Sequence, residues 1–491
     1  MIRTTAPRRS ASTATVPVPC TNFGLAEFGK LMENDSSRRR GLSTPTAVAS
    51  ANDDRTSQQG GAAAGIDLEA LQELASQTPT PLRLADMYRY GTGTDKEQRL
   101  RNAQFLHREL PIRVAQRAVD LLTLPFGLSE AAPIQQVAKI YVGYLHKFHA
   151  IPLPQSQEDE ENFTDFLQTL VLDRTAIPVG IFQGVVAWRE VVQEDLDAER
   201  IQEMEDALYR FFTARVGLRF LTEHHVLSSC STRKAVMDLR SKTFLIEPDE
   251  SDCYVGCIST NTDLLKEVSR VADLVRKETE DYYGVCPDID IVDCLQHGRS
   301  FTYVPHHLHY MVGELLKNSC RATVKRYLTG KVLQGQGSTT LSPIRVVLVS
   351  GKEDVTIKVA DKGGGIPRSN MSNIWKFLYS TADEKENTKD FGNVPVAGAR
   401  IRGFGLPLAR IYARYFGGEL TLKSMEGYGL DAYLHLPRLG DAGENLPRRV
   451  RKSPGERDST PRHGSSRRFS SSPSSLEDAR RQQAEEWSRL S

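Results

Sequence analysis

The sequence lacks an excess of charge of either sign and any long apolar run. It has 491 residues, of which 63 are basic and 62 acidic, so its formal net charge is only +1. This balance argues against the broad positive field that attracts nucleic acids or acidic membrane surfaces. No apolar run approaches the ~20 residues that a membrane-spanning helix requires. We therefore expect neither a nucleic-acid partner nor a membrane span.

Cysteine is also scarce. The seven cysteines are scattered along the chain and odd in number. Cys253 and Cys257 are close in sequence, but no second pair follows at the spacing of a zinc site. We interpret all seven as reduced thiols with mostly structural roles.

The motifs of ordinary nucleotide-binding kinases are missing as well. Lys358 ends the run VTIK and Asp390 begins DFG, which superficially suggests an ordinary protein kinase. Such a kinase needs a helix and an H-R-D loop between those motifs, and the roughly thirty intervening residues cannot hold them. Neither H-R-D, A-P-E nor a Walker A sequence occurs. We interpret the DFG triplet as coincidence.

The two ends of the chain have biased compositions. Residues 1–26 contain three arginines among Ser, Thr and Ala and no acid, as in a mitochondrial transit peptide; an ordinary disordered terminus is the alternative. Residues 27–78 are polar and rich in Gly, Ala and Ser, and predict a disordered linker. Residues 441–491 are rich in Ser, Arg and Pro, and predict a disordered basic tail.

Between these ends the sequence predicts an α+β protein in two parts. Residues 79–240 carry apolar residues at three- and four-residue intervals, broken by prolines in loops, and predict a helical bundle. Residues 241–440 combine helices with strands, and LLKEVSRVADLVRKETEDYYG is predicted as one of the helices. IRVVLVS and VTIKVAD are predicted as strand, turn and strand, and ELTLKSMEGYGLDAYLHLP as a hairpin. We expect helices on one face of a mixed sheet.

One predicted helix carries a polar column. In GELLKNSCRAT, Glu314, Asn318 and Arg321 stand at i, i+4 and i+7, so they share one face. A column of this kind is usually a solvated surface. Whether these side chains bind a ligand instead depends on the motifs elsewhere in the sequence.

Three further elements follow in chain order: DKGGGIP from Asp361, YSTA at residues 379–382, and GFGLP at residues 403–407. An aspartate at a strand end can accept a hydrogen bond from the exocyclic amine of adenine. Glycines let the backbone approach a base or phosphate closely, and a Gly-rich turn into a helix offers free N–H groups to phosphate. The Asn318 oxygen suits Mg²⁺, and a glutamate one turn away can deprotonate a nucleophile. Together the elements predict a Mg-ATP site.

In this order and spacing, the elements resemble the N box, glycine boxes and lid of the GHKL superfamily of ATPases and kinases. ELLKNSCRATV, YSTA and LPLARIYARYFGGELTLKSMEGYGLDAYLHL resemble those of mitochondrial 2-oxoacid dehydrogenase kinases, which act on pyruvate or branched-chain complexes. RELPIRVAQRAVDLLTLP extends the likeness into the helical half, so it covers about residues 79–438. It implies a four-helix-bundle domain over 79–240, then a Bergerat-type ATP-binding domain over 241–440.

The resemblance implies a function. Such a protein would be an ATP- and Mg²⁺-dependent Ser/Thr kinase of the mitochondrial matrix. It would phosphorylate and inactivate the E1α subunit of a 2-oxoacid dehydrogenase complex, pyruvate dehydrogenase being favoured. It would dock on the E2 lipoyl domain and form a homodimer. A branched-chain substrate, and a degenerate regulator that binds ATP or E2 without catalysis, stay open as alternatives.

Two other GHKL functions fit less well. A sensor histidine kinase needs a phosphoacceptor histidine on a dimerisation helix. His224 and His225 lie on a predicted helix but lack that setting, so we interpret them as core or cap residues. A GHKL chaperone or mismatch-repair ATPase would carry a transducer domain after the hairpin, where this sequence has only its low-complexity tail.

The resemblance also implies a role for each matching residue. Glu314 matches the general base and Asn318 the Mg²⁺ ligand. The residues that match ATP contacts are Glu314, Asn318, Arg321, Asp361, Gly363, Gly365, Ser380, Thr381, Gly403, Phe404, Gly405 and Leu406.

The sequence departs from the family pattern at four places. Tyr310 stands where pyruvate-type members carry a histidine, with His309 one position earlier. Ile401 and Arg402 stand where a glycine and an aromatic residue are expected, and Asp173 replaces a histidine of the bundle. The C-terminal Asp-Trp motif of animal pyruvate-type members is missing.

Overall fold

A computed structural model describes the middle of the chain. The residues described are 68–92, 96–173, 176–191, 197–228, 254–296, 298, 300–334, 341–377, 379, 403–438, 443, 444 and 446. The predicted transit peptide over 1–26 and the DFG triplet lie outside this part.

The N-terminal half is helical, as predicted. Its helices are α1 Leu68–Ser76, α2 Leu84–Thr92, α3 Lys96–Leu122, α4 Ala132–Ala150, α5 Gln157–Asp173, α6 Ala176–Val191 and α7 Ala198–Leu227. α3 packs against α4, α5 and α7, and α5 also packs against α7. Leu110, Phe163 and Phe211 are fully buried between them. In the part of the chain described, no helix is long and apolar enough to cross a membrane.

Proline does not break every helix, contrary to the sequence prediction. Pro111 lies inside α3. A proline at this position removes one helical hydrogen bond and costs about 3 kcal/mol. The flanking Leu110 and Val114 are buried, and burying a large apolar side chain gains about 1.5–3 kcal/mol. Burial on both sides of Pro111 offsets its cost.

The predicted linker over 27–78 is wrong for its last part, because α1 lies there. Leu71 and Ala75 of α1 are buried, and the Gln116 side-chain amide of α3 donates to the carbonyl of Gln77 at 2.7 Å. Packing against α3 stabilises this helix, whose short sequence is marginal by itself.

The C-terminal half is a mixed sheet with helices on one face, which confirms the α+β prediction. Its elements are β1 Tyr254–Val255, β2 Ile258–Asp263, α8 Leu264–Tyr283, β3 Ile289–Cys294, β4 Ser300–Tyr303, α9 Pro305–Gln334, β5 Ile344–Ser350, β6 Asp354–Ala360, α10 Gly405–Tyr415, β7 Glu419–Met425 and β8 Gly429–Pro437. The main sheet has the order β3-β5-β6-β8-β7, and only the β3–β5 pair is parallel. α10 packs against α9, α7 and β7, so the helical half reaches this domain.

A second, smaller sheet was not predicted. Its strand order is β1-β2-β4, with both pairs antiparallel. β1 has two residues and β4 has four, which is too short for alternation to identify a strand.

Several side chains that we interpreted as structural are indeed so placed. His224 and His225 are buried in the last turn of α7. The His225 Nε2 atom lies 3.1 Å from the hydroxyl of Thr164, which confirms a core role. The cysteines in the described residues are free thiols: Cys257, Cys286, Cys294 and Cys320.

The predicted disordered tail over 441–491 is wrong at its start. Glu444 is buried, its N–H donates to the carbonyl of Leu82 at 2.7 Å, and Arg113 Nη2 donates to its carboxylate at 2.8 Å. The composition of residues 441–491 predicts disorder, so it does not indicate that Glu444 bonds to residues far away in the sequence.

Candidate functional site

The site is built around Glu314 of α9 and the first residue of α10. A Cβ atom on Gly405 would lie 2.2 Å from Glu314 Oε2, so a side chain at this position would displace the carboxylate from the start of α10. Among the described residues, no side chain caps the first turn of α10. Its free N–H groups and the positive end of its dipole therefore face the carboxylate. Lys317, one turn along α9, pairs with Glu314.

Tyr310 precedes Glu314 by about one helical turn on α9. Its ring centroid is 4.9 Å from that of Tyr412 on α10. Burial raises the pKa of Tyr310 well above its usual value, and the charge of Glu314 raises it further, so the phenol stays protonated. The side chain of His309 contacts α8, with its Nε2 atom 2.5 Å from a carboxylate oxygen of Glu267. It therefore does not substitute for the histidine of pyruvate-type kinases.

The polar column continues toward the sheet. Asn318 and Arg321 are half-buried on α9. Ser319, the neighbour of Asn318, is buried and donates from its hydroxyl to Asp361 Oδ2 at 3.0 Å. This bond connects helix α9 to the end of strand β6.

Asp361 directly follows the last residue of β6. It is only 5% exposed, and its Oδ1 atom accepts the N–H of Gly363 at 2.8 Å. Burial raises the pKa of this carboxyl, while the donors from Gly363 and Ser319 counteract the rise. The side chain is therefore a buried acceptor whose two oxygens are oriented by these donors, which suits recognition of an amine.

The glycine run after Asp361 is fixed by the turn between β7 and β8. The Gly364 N–H donates to the carbonyl of Tyr428 at 3.2 Å, and the Gly364 carbonyl accepts from Gly427 at 2.8 Å. Gly363 lies against the backbone of α9, and Gly365 against that of Met425. Packing of the protein's own backbone is therefore one reason for these glycines, beyond the access for a nucleotide that we predicted.

Residues 403–406 form the turn into α10, which we call the phosphate turn. Phe404 is 1% exposed, and its ring packs against Phe377, Phe212 and Phe182. Because the ring is buried, only the backbone of Phe404 can reach a ligand. Leu406 is half-buried and packs against the core.

Glu314, Asp361, Gly363 and Gly405 thus lie where α9 meets the end of β6 and the start of α10, and we call this region the cleft. Ser380, Thr381, Ile401 and Arg402 lie outside the described residues. Asp173 is the last residue of α5. Sequence reasoning missed Lys317 and Ser319; the i, i+3 spacing of Lys317 from Glu314 was a usable signal.

The site's donors fit Mg²⁺ carried by a nucleotide. In the described residues, no group of three or more His, Cys, Asp or Glu side chains converges as a metal centre. Mg²⁺ bound with phosphates keeps several waters and takes only one or two protein oxygens. The half-buried Asn318 amide, one turn from Glu314, is such a donor.

Two protein families match the two halves of the chain. The family described as "Mitochondrial branched-chain alpha-ketoacid dehydrogenase kinase" matches residues 81–259. The family described as "Histidine kinase-, DNA gyrase B-, and HSP90-like ATPase" matches residues 303–440. The two matches coincide with the helical half and with the part that contains the cleft.

Individual relatives extend over both halves. A mitochondrial pyruvate dehydrogenase (acetyl-transferring) kinase from Arabidopsis thaliana is 36% identical over 77% of this chain and 96% of its own length. The corresponding Drosophila melanogaster kinase is 30% identical over 75% of this chain and 84% of its own. Human isozyme 4 is 29% identical over 78% and 88%. The solved catalytic domain of the histidine kinase ThkA matches 36% of this chain and 97% of its own length at 15% identity, with a TM-score of 0.25.

Proposed function

The chain belongs to the mitochondrial 2-oxoacid dehydrogenase kinase family of the GHKL superfamily, and we propose that it phosphorylates the E1α subunit of the pyruvate dehydrogenase complex with Mg-ATP and so inactivates it. We place the reaction in the mitochondrial matrix, with the enzyme acting as a homodimer docked on the E2 lipoyl domain. The family relationship supports this proposal, and one observation carries it: Glu314 is intact and lies against the first turn of α10.

In this proposal, different residues of the chain bind the base, bind the phosphates and accept the proton. Asp361 accepts a hydrogen bond from the adenine amine, and the free N–H groups at the start of α10 bind phosphate oxygens. Asn318 would hold Mg²⁺, which would neutralise phosphate charge. Glu314 orients the substrate serine and accepts its hydroxyl proton as the serine oxygen bonds to the γ-phosphorus and ADP leaves. Because the transition state is loose, positioning and charge dominate the rate.

The test is a transfer assay with labelled ATP on pyruvate and branched-chain complexes side by side. We expect acid-stable label on the E1α subunit of the pyruvate complex and a matching loss of its activity. Faster labelling of the branched-chain E1α would assign the other substrate, which the match of residues 81–259 favours. ATP binding without transfer would identify a regulator, and acid-labile label on the protein itself a histidine kinase.

The first variant to test is Ser319→Ala. We expect it to weaken MgATP binding about 2- to 12-fold, the worth of one hydrogen bond of about 0.5–1.5 kcal/mol. Without the serine hydroxyl, Asp361 loses a donor that lowers its pKa and fixes its orientation. Inosine triphosphate carries a carbonyl where ATP carries the amine, so its binding should change less. Calorimetric titration with each nucleotide measures the ratio.

The exposed Ser372 provides the matched control, and Ser372→Ala should bind both nucleotides as the unmodified protein does. An equal loss of both nucleotides in Ser319→Ala would show that the hydroxyl supports the fold of the site and does not orient the adenine acceptor.

A further inference from the structure

We propose that Glu205 of the helical half is a positioning residue for the phosphate turn of the nucleotide site. The expected effect on ATP affinity rests on the proposed function. The contacts that support the inference do not depend on any ligand. Through this turn, a side chain of α7 in the helical half helps to set the affinity for ATP.

The first contact is a buried hydrogen bond between the two halves. Glu205 is 5% exposed, and its Oε2 atom accepts the backbone N–H of Phe377 at 2.6 Å. A carboxylate is costly to bury unless donors compensate it. A backbone N–H bonded to a charged oxygen is among the stronger protein hydrogen bonds. Glu205 therefore fixes the main chain at Phe377, not only a side chain.

The second contact is aromatic. The Phe377 ring stacks on Phe212 with centroids 4.9 Å apart and planes 23° apart. Phe212 follows Glu205 by seven residues on α7, so both side chains belong to one face of that helix. Phe404 of the phosphate turn packs edge-on against both rings, at 5.2 Å from Phe377 and 5.5 Å from Phe212. The turn is thus anchored to the same face.

The third contact joins two backbones. Gly403 has a φ of +81°, and a Cβ atom there would lie 2.7 Å from the carbonyl of Tyr379 and 3.4 Å from that of Phe377. The main chain of the phosphate turn therefore lies directly on the segment that Glu205 holds. A shift of Phe377 must move Gly403, and with it the first N–H groups of α10.

The adenine side of the cleft is held by other groups. Asp361 is fixed by Ser319 of α9 and by the N–H of Gly363. Loss of the Glu205 bond should therefore weaken the phosphate contacts and spare the adenine contacts. A general loss of stability would weaken both alike, so the two roles can be separated.

The experiment compares Glu205→Ala, Glu205→Gln and the control Glu203→Ala in the full chain. Glu203 is exposed on the same helix. Affinities for MgATP and for adenosine are measured by competition against a fluorescent ATP analogue. We expect Glu205→Ala to lose about tenfold in MgATP affinity, the worth of a hydrogen bond to a charged group, and to bind adenosine unchanged. Glu205→Gln keeps an acceptor oxygen and should restore most of the affinity.

Equal losses for MgATP and adenosine, or no loss for MgATP, would overturn the proposal. If the unmodified protein fails to bind MgATP, the proposed function fails instead, and hydrogen exchange then tests the contact alone. The peptide that contains Phe377 should exchange faster in Glu205→Ala than in Glu205→Gln or Glu203→Ala. Identical exchange in all three would refute the anchoring role.

Discussion

Glu314→Gln is expected to slow phosphate transfer by ~10²- to 10⁴-fold, the usual contribution of a general base. The amide has nearly the shape of the carboxylate, so it can occupy the same space against Gly405. It cannot accept the serine proton, and it removes the charge that pairs with Lys317. MgATP binding should stay close to that of the unmodified protein. Single-turnover transfer with labelled ATP and calorimetric titration measure the two quantities separately.

Two matched variants isolate the proton transfer from its surroundings. Lys317→Met breaks the same ion pair and keeps the carboxylate, so it should retain most of the transfer rate. Asn318→Ala should lose Mg²⁺-dependent nucleotide binding, which Glu314→Gln retains. Normal transfer by Glu314→Gln would remove Glu314 as the base, whatever the other two variants do.

The elements that were predicted correctly have strong local patterns. Helix α8 begins after Asp263, whose side chain accepts the N–H of Lys266, and ends at Gly284 with a φ of +71°. Both signals stand in the sequence as a capping residue and a terminal glycine. Strand β5 alternates between buried and more exposed side chains along its length, as its β-branched sequence indicates. Local chemistry suffices for such elements.

The elements that were missed depend on distant partners. Pro111 remains helical and α1 forms because both pack against the rest of the helical half, and composition near either residue does not report that packing. Local propensity is a weak guide wherever tertiary burial overrides it.

The candidate site shows the same division. The column of Glu314, Asn318 and Arg321 was predictable because helical spacing alone places the three side chains on one face. The bond between Ser319 and Asp361 spans 42 residues, and that between Glu205 and Phe377 spans 172. A single sequence carries no signal that pairs residues so far apart. The shared helix face of the polar column could therefore be predicted, and the contacts that connect distant elements could not.

The largest expected effect on stability comes from Glu444→Ala, which should lower the free energy of unfolding by about 3–5 kcal/mol, the cost of breaking a buried ion pair. The Glu444 side chain is fully buried and accepts from Arg113 of α3, while the Tyr415 hydroxyl of α10 also donates to it. Burial lowers the pKa of Arg113, but the charges of Glu444 and Glu109 outweigh it and raise that pKa. Because arginine is not deprotonated in proteins, removing Glu444 leaves a buried positive charge with Glu109 as its carboxylate partner. Urea unfolding measures the loss.

A graded series shows whether charge or hydrogen bonding dominates this cluster. Glu444→Gln keeps the acceptor oxygen and loses the charge, so it should fall between the unmodified protein and Glu444→Ala. Tyr415→Phe removes one hydroxyl that donates to the carboxylate and should cost about 1.5–3 kcal/mol, the worth of one hydrogen bond to a charged group. The exposed Glu280 of α8 gives the surface control, and Glu280→Ala should stay within ~0.5 kcal/mol. A loss in Glu444→Ala no larger than that in Tyr415→Phe would mean that Arg113 is satisfied without Glu444. The contact of Glu444 with the helical half would then contribute little to stability.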